Sequence, residues 1–123
     1  MSKKTVLVVD DEANIRLLVH RALDKTYMVI EAGDGEEAIK IARGKKPDII
    51  LMDIMMPRMD GYTACSTIKS DPSLRTIPVI MLTGLGYPLN KELAKKLEAD
   101  GYMTKPFTSE SLRNTIEQYL GKD

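Results

Sequence analysis

Four of the short apolar runs in this chain end in residues able to do chemistry. Thr5–Val9 leads into Asp10-Asp11-Glu12, Ile49–Met52 into Asp53, Pro78–Leu82 into Thr83-Gly84, and Tyr102–Thr104 into Lys105-Pro106. Carboxylates gathered in one place repel one another, and some must protonate unless a cation sits among them. Oxygen-only ligands point to a hard ion. Mg²⁺ suits such a set because it takes a few carboxylates, keeps waters and leaves positions for phosphate oxygens. A carboxylate can also attack phosphorus and form an acyl phosphate. The charge on the transferred phosphoryl group then needs a metal, a cation and a hydroxyl donor around it. Lys105 offers the cation and Thr83 the hydroxyl.

These residues can meet only if the elements place them together. The apolar runs read as strands, and a weaker one over Tyr27–Ala32 ends in Ala32-Gly33, where nothing is reactive. Helical patterns separate them. Ile15, Leu18, Val19, Ala22 and Leu23 share one helical face. Asp34 reads as the N-cap of a second helix, with Glu37 at the capping-box position and Ala38, Ile41 and Ala42 as its apolar stripe. Further helices are expected from Gly61 to Ser70, from Lys91 to about Ala99, and from a Thr108 N-cap through Leu112, Ile116, Tyr119 and Leu120. Strand and helix alternating five times predicts an α/β domain, with a parallel sheet covered on both faces. Ligands of such sheets bind beyond the carboxyl ends of the strands, which is where the four reactive ends lie.

Composition narrows the function classes. The 123 residues fit one domain over 1–123, and no repeat or linker divides them. Lys+Arg and Asp+Glu are 18 each, a balance that argues against direct nucleic-acid binding. One cysteine, Cys65, allows neither an internal disulfide nor a cysteine metal cluster, and reads as a packed or half-buried helix residue. The apolar run after Lys4 is too short for a signal peptide or a membrane span, so the expectation is a cytoplasmic protein with no membrane partner.

The set Asp10-Asp11, Asp53 within Leu51-Met52-Asp53-Ile54-Met55-Met56-Pro57-Arg58-Met59-Asp60-Gly61, Thr83-Gly84 and Lys105-Pro106-Phe107 resembles the response-regulator receiver family of two-component signalling. The match runs in order along essentially the whole chain. It implies a flavodoxin-like, doubly wound five-stranded sheet of order 2-1-3-4-5, an order the residue pattern does not itself give. It further implies Asp53 as phosphoacceptor and Mg²⁺ held by Asp10, Asp11, Asp53 and the backbone carbonyl of Met55. Thr83 and Lys105 would contact the phosphoryl oxygens, and the Lys105-Pro106 bond would be cis. Thr83 and Tyr102 would act as a switch, with Gly84 leaving room for the motion. The implied donor is a sensor histidine kinase or a histidine phosphotransfer protein. The implied readout is a downstream protein that recognises the helix 4–strand 5–helix 5 face, with phosphorylation-dependent dimerisation left open. Such a domain catalyses its own phosphorylation and slow dephosphorylation and is not a turnover enzyme on an external substrate.

Two segments depart from the family's pattern: Gly84-Leu85-Gly86-Tyr87-Pro88-Leu89-Asn90, rich in glycine and carrying a proline, and Glu98-Ala99-Asp100-Gly101 before strand 5. Both bear on the output face rather than the chemistry. An aspartyl-nucleophile phosphatase resembling the haloacid dehalogenase group would need an acid two residues after Asp53, where Met55 stands and cannot transfer a proton. A flavin-binding module would need a Gly-, Ser- or Thr-rich phosphate loop where Asp10-Asp11-Glu12 lies. A receiver cut from a longer regulator would carry the same site. Met55 and Leu85 offer no group to orient water, which predicts slow self-dephosphorylation. His20 reads as a surface residue, and the methionines near Asp53 as packing rather than soft-metal ligands.

Overall fold

The structure, a computed structural model, describes residues 3–84 and 90–121. Five strands, β1 (Thr5–Val9), β2 (Met28–Ala32), β3 (Ile49–Asp53), β4 (Val79–Thr83) and β5 (Gly101–Thr104), alternate with five helices. These are α1 (Ala13–Leu23), α2 (Gly35–Lys45), α3 (Gly61–Ser70), α4 (Lys91–Lys96) and α5 (Ser109–Leu120). All strand pairs are parallel, in the order β2-β1-β3-β4-β5. β1 therefore has β2 on one side and β3 on the other, so the chain changes winding direction between them and opens a crevice at their carboxyl ends.

Side chains of successive strand residues point to opposite faces, and two separate cores result. Leu7, Val9, Ile50, Met52, Val79 and Met81 pack against Ala38, Ile39 and Ala42 of α2 and Ala64, Cys65 and Ile68 of α3. Val6, Val8, Ile49, Leu51, Ile80, Leu82 and Met103 pack against Val19 and Leu23 of α1 and Leu112 and Ile116 of α5. Every residue of β3 and β4 is buried, which is why both read as unbroken apolar runs. β2 is an edge strand with Met28 exposed, which is why its run is weaker.

Caps set the helix starts. Asp34 accepts from the Glu37 N–H, Asp60 from Thr63, Asn90 from Leu93, and Thr108 from Ser111 in a reciprocal box. The Glu37 carboxylate does not close a box on Asp34; it accepts from the Gly33 N–H one residue further out, at 2.8 Å. Other expectations need correction. Leu18 is exposed and Ile15 only half-buried, because α1 meets the sheet through Val19 and Leu23. On α2 it is Ile39, not Ile41, that is buried beside Ala38 and Ala42. α4 stops at Lys96, short of Ala99, because Glu98 takes a positive φ of 66° and turns the chain toward β5. Cys65 is buried in the core, in keeping with the packed reading of the sequence.

Candidate functional site

The four strand ends do converge. Asp10, immediately past β1, is fully buried; Asp53, at the end of β3, is 8% exposed; Asp11 is exposed. One carboxylate oxygen from each lies within 4.8 Å of the other two. Lys105 reaches across from beyond β5, its Nζ 2.7 Å from Asp10 Oδ2 and 3.2 Å from Asp53 Oδ1. A cleft of about 290 Å³ opens over this group, lined by Asp11, Glu12, Asp53, Met55, Gly84 and Lys105 among others. The Lys105-Pro106 peptide bond is cis, and the Lys105 N–H donates to the Thr83 carbonyl at 2.6 Å, fastening the lysine to the end of β4.

Local backbone contacts explain how each group is held. Asp10 donates its N–H to the Ala32 carbonyl at the end of β2 (3.1 Å), and its Oδ1 accepts from the Glu12 N–H (2.9 Å). Asp10 thus helps satisfy the start of α1, whose own N-cap Glu12 makes no side-chain cap. Behind Asp53, Gly61 opens α3 with its N–H donating to the Ile54 carbonyl at 2.7 Å. A Cβ at Gly61 would run into the Asp53 carbonyl oxygen and sit 2.9 Å from Ile54 Cα, so only glycine lets the helix start this close to the strand end.

The electrostatics follow from crowding. Burial, and then the charge of Asp10, pushes the Asp53 carboxyl up to about 6, against the attraction of Lys105. For Lys105, burial works against the charged form, but its hydrogen bond to Asp10 and the charges of Asp10 and Asp53 outweigh that, and its pKa is raised. Anion beside anion, with one lysine between them, favours a further cation. The donors are all oxygens and the cluster opens to solvent through Asp11, a set that fits a hard divalent ion keeping part of its water shell.

Of the other candidates, Met55 and Gly84 line the cleft, whereas Thr83 and Tyr102 are not among its lining residues. Thr83 is buried and its hydroxyl donates to the Met103 carbonyl at 3.3 Å. Tyr102 points outward, 49% exposed, with Lys91 Nζ 5.5 Å from its ring centroid. Met55 is 48% exposed at the cleft rim. An added Cβ at Gly84 would meet no atom within 4 Å among the described residues. Leu85 and the rest of 85–89 lie outside the described residues. Arg16 was not singled out from the sequence, yet its Nη1 donates to the Asp10 carbonyl at 2.6 Å. No spacing along the chain signals this, because the placement of Arg16 depends on the strand register that sets Glu31 beside it.

Comparison with known proteins agrees with this geometry. Residues 6–117 match the model of the response regulator receiver domain. The chain is 40% identical over 121 residues to the alkaline phosphatase synthesis transcriptional regulatory protein PhoP of Bacillus subtilis (strain 168), covering 98% of this chain and 49% of that protein. It spans about half the length of the curated relatives it matches. The structure of Vibrio cholerae chemotaxis protein CheY4 superposes with a TM-score of 0.89 at 34% identity, covering 96% of this chain and 99% of that one. The receiver domain of sensor histidine kinase PA1611 from Pseudomonas aeruginosa PAO1 superposes with a TM-score of 0.88 at 27% identity over 98% and 100% of the two chains. That structure carries a magnesium ion coordinated in its active-site cleft. On sequence, strand order and overall shape alike, this chain belongs to the response regulator receiver family of two-component signalling.

Proposed function

We propose that residues 1–123 form one receiver unit that accepts a phosphoryl group on Asp53 from a phosphohistidine of a sensor kinase or phosphotransfer protein. The observation that carries this reading is the meeting of Asp10, Asp11 and Asp53 within 4.8 Å beside the Lys105 ammonium. Asp10, Asp11, Asp53 and the Met55 carbonyl would hold Mg²⁺, whose charge would offset that of the phosphoryl oxygens.

The protein's own groups have separate tasks. Asp53 titrates near 6, so it is mostly ionised at neutral pH and has a lone pair for in-line attack. The new bond joins an Asp53 carboxylate oxygen to phosphorus. The P–N bond of the donor breaks, and its electron pair stays on the imidazole nitrogen. Lys105, now shared between Asp10 and Asp53, turns its Nζ toward the incoming oxygens. Thr83 gives up its 3.3 Å bond to the Met103 carbonyl and donates to the phosphoryl group instead. The space it leaves favours the inward rotamer of Tyr102, which here lies outward beneath Lys91. The α4–β5–α5 face is then altered for a downstream protein, a shift between two existing states.

The domain acts once per phosphoryl group rather than turning over an external substrate. Met55 at the rim has no group to orient water, which favours a long-lived acyl phosphate. Equal numbers of acidic and basic residues favour protein partners over nucleic acid. No helix among the described residues is long and apolar enough to cross a membrane, which accords with a cytoplasmic setting. Intact-protein mass after incubation with acetyl phosphate tests the reading. One phosphoryl adduct is expected, requiring both Mg²⁺ and Asp53. An adduct of equal yield with EDTA, or on Asp53→Asn, would overturn it.

A further inference from the structure

The turn that presents Asp10 and Asp11 is braced from behind by a residue without a role in the chemistry above. Arg16, one turn into α1, donates Nη1 to the Asp10 carbonyl at 2.6 Å and Nε to Glu31 Oε1 at 2.9 Å. Its side chain is 22% exposed, and Glu31 stands on β2 directly across from Val8 of β1. The guanidinium therefore bridges helix, strand end and edge strand at one point.

We propose that Arg16, held by Glu31, is a positioning residue for the divalent-cation subsite. The inference rests on the reading of Asp10, Asp11 and Asp53 as that subsite. The last register pair of β1 is Val9↔Ala32, so the Asp10 carbonyl lies beyond the sheet and is fixed by Arg16 instead. A carbonyl and the following N–H share one rigid plane, so fixing the Asp10 carbonyl fixes the peptide plane entering Asp11. The plane leaving Asp11 is fixed by the Glu12 N–H donating to Asp10 Oδ1. Asp11 is exposed, and these two planes set the direction of its Cα–Cβ bond, from which its carboxylate extends. Partners behind metal ligands orient them in this way.

Charge and position make opposite predictions for the loss of Arg16. As a mere positive charge near three carboxylates, the guanidinium repels a cation, and its removal would tighten metal binding. As a brace it preorganises the ligands, and its removal would weaken binding. The Glu31 carboxylate at 2.9 Å neutralises much of the guanidinium charge, so positioning should win.

Mn²⁺ serves as the probe, with free Mn²⁺ read by its electron paramagnetic resonance signal in titrations of the unphosphorylated protein. Wild type should bind one ion and Asp11→Asn should lose most of that affinity. Arg16→Ala should raise the dissociation constant roughly tenfold. Arg43→Ala, which removes an ion pair to Asp71 on another part of the surface, should leave it unchanged. Glu31→Ala, a second variant should Arg16→Ala fold poorly, should weaken binding less, and the double variant should be no worse than Arg16→Ala alone. Circular dichroism melts without metal confirm that each protein is folded at the titration temperature. Arg16→Ala and Glu31→Ala binding Mn²⁺ as tightly as wild type, or more tightly, would overturn the positioning role. Wild type that binds no Mn²⁺, or Asp11→Asn that binds it undiminished, would instead overturn the cation site itself.

Discussion

Asp53→Asn should make the metal-free domain more stable at neutral pH, although it removes the residue at the centre of the proposed chemistry. The Asp53 carboxyl titrates near 6 instead of its ordinary 3.8, chiefly because it is buried and then because Asp10 is close. Between those values the native state holds a proton that the unfolded chain has already released. Stability from this group therefore falls as pH rises through the window from about 4 to about 6 and stays low above it. At about 1.4 kcal/mol per tenfold in proton affinity, the gap amounts to about 3 kcal/mol at pH 7. Asparagine mimics the protonated form, keeps an acceptor for Lys105 and removes the repulsion, so the gain should be about 2–3 kcal/mol. Urea unfolding in EDTA, at pH 7 and at pH 4, measures it as the difference between variant and wild type. That difference should shrink toward zero at pH 4, and Mg²⁺ at pH 7 should reduce it by stabilising only the wild type strongly. A variant less stable than wild type at pH 7, or a difference indifferent to pH, would refute the electrostatic reasoning.

Other substitutions test neighbouring parts of the site. Lys105→Ala leaves Asp10 and Asp53 facing each other without a cation and should cost about 2–3 kcal/mol at pH 7 in EDTA, measured by chemical denaturation. The loss should lessen below pH 6, where Asp53 takes up a proton. Gly61→Ala drives a Cβ into the Asp53 carbonyl and should destabilise by about 2 kcal/mol, more than alanine's helix propensity returns. Its Mn²⁺ affinity should fall as well, because the displaced backbone carries Asp53; a titration matching wild type would contradict the close-approach argument.

Much of this fold was open to sequence reasoning because its strands are buried on both faces. Ile49–Met52 and Pro78–Leu82 carry no polar residue that another element could exploit, and both form strands within a residue of those limits. Asp34 and Thr108 announce their helices through local hydrogen bonds, which need no tertiary context. Where the outcome depended on how elements pack, the pattern was ambiguous. Ile39 and Ile41 are equally apolar, and only the angle at which α2 meets the sheet buries Ile39. Leu17 and Leu18 are both exposed, because α1 turns Val19 and Leu23 inward. That the four reactive ends would meet was legible because parallel strands deliver their carboxyl ends to one edge. The separate roles of Asp53, Met55, Thr83 and Tyr102 came instead from the resemblance to the receiver family. Arg16 was invisible to that reasoning. Its contact with Glu31 depends on the register that sets Glu31 opposite Val8, and no spacing along the chain encodes it.

The most direct measurement of the central claim is the identity of the phosphorylated atom. Borohydride delivers hydride to an acyl phosphate, expels phosphate and leaves the alcohol, so a phosphorylated aspartate becomes homoserine. Protein treated with acetyl phosphate and Mg²⁺, reduced with borohydride and mapped by peptide mass spectrometry should carry homoserine in place of Asp53, and this mark should vanish when Mg²⁺ is withheld. Homoserine at Asp10 or Asp11 instead, or a phosphoryl adduct that survives borohydride on another residue such as His20, would contradict the account.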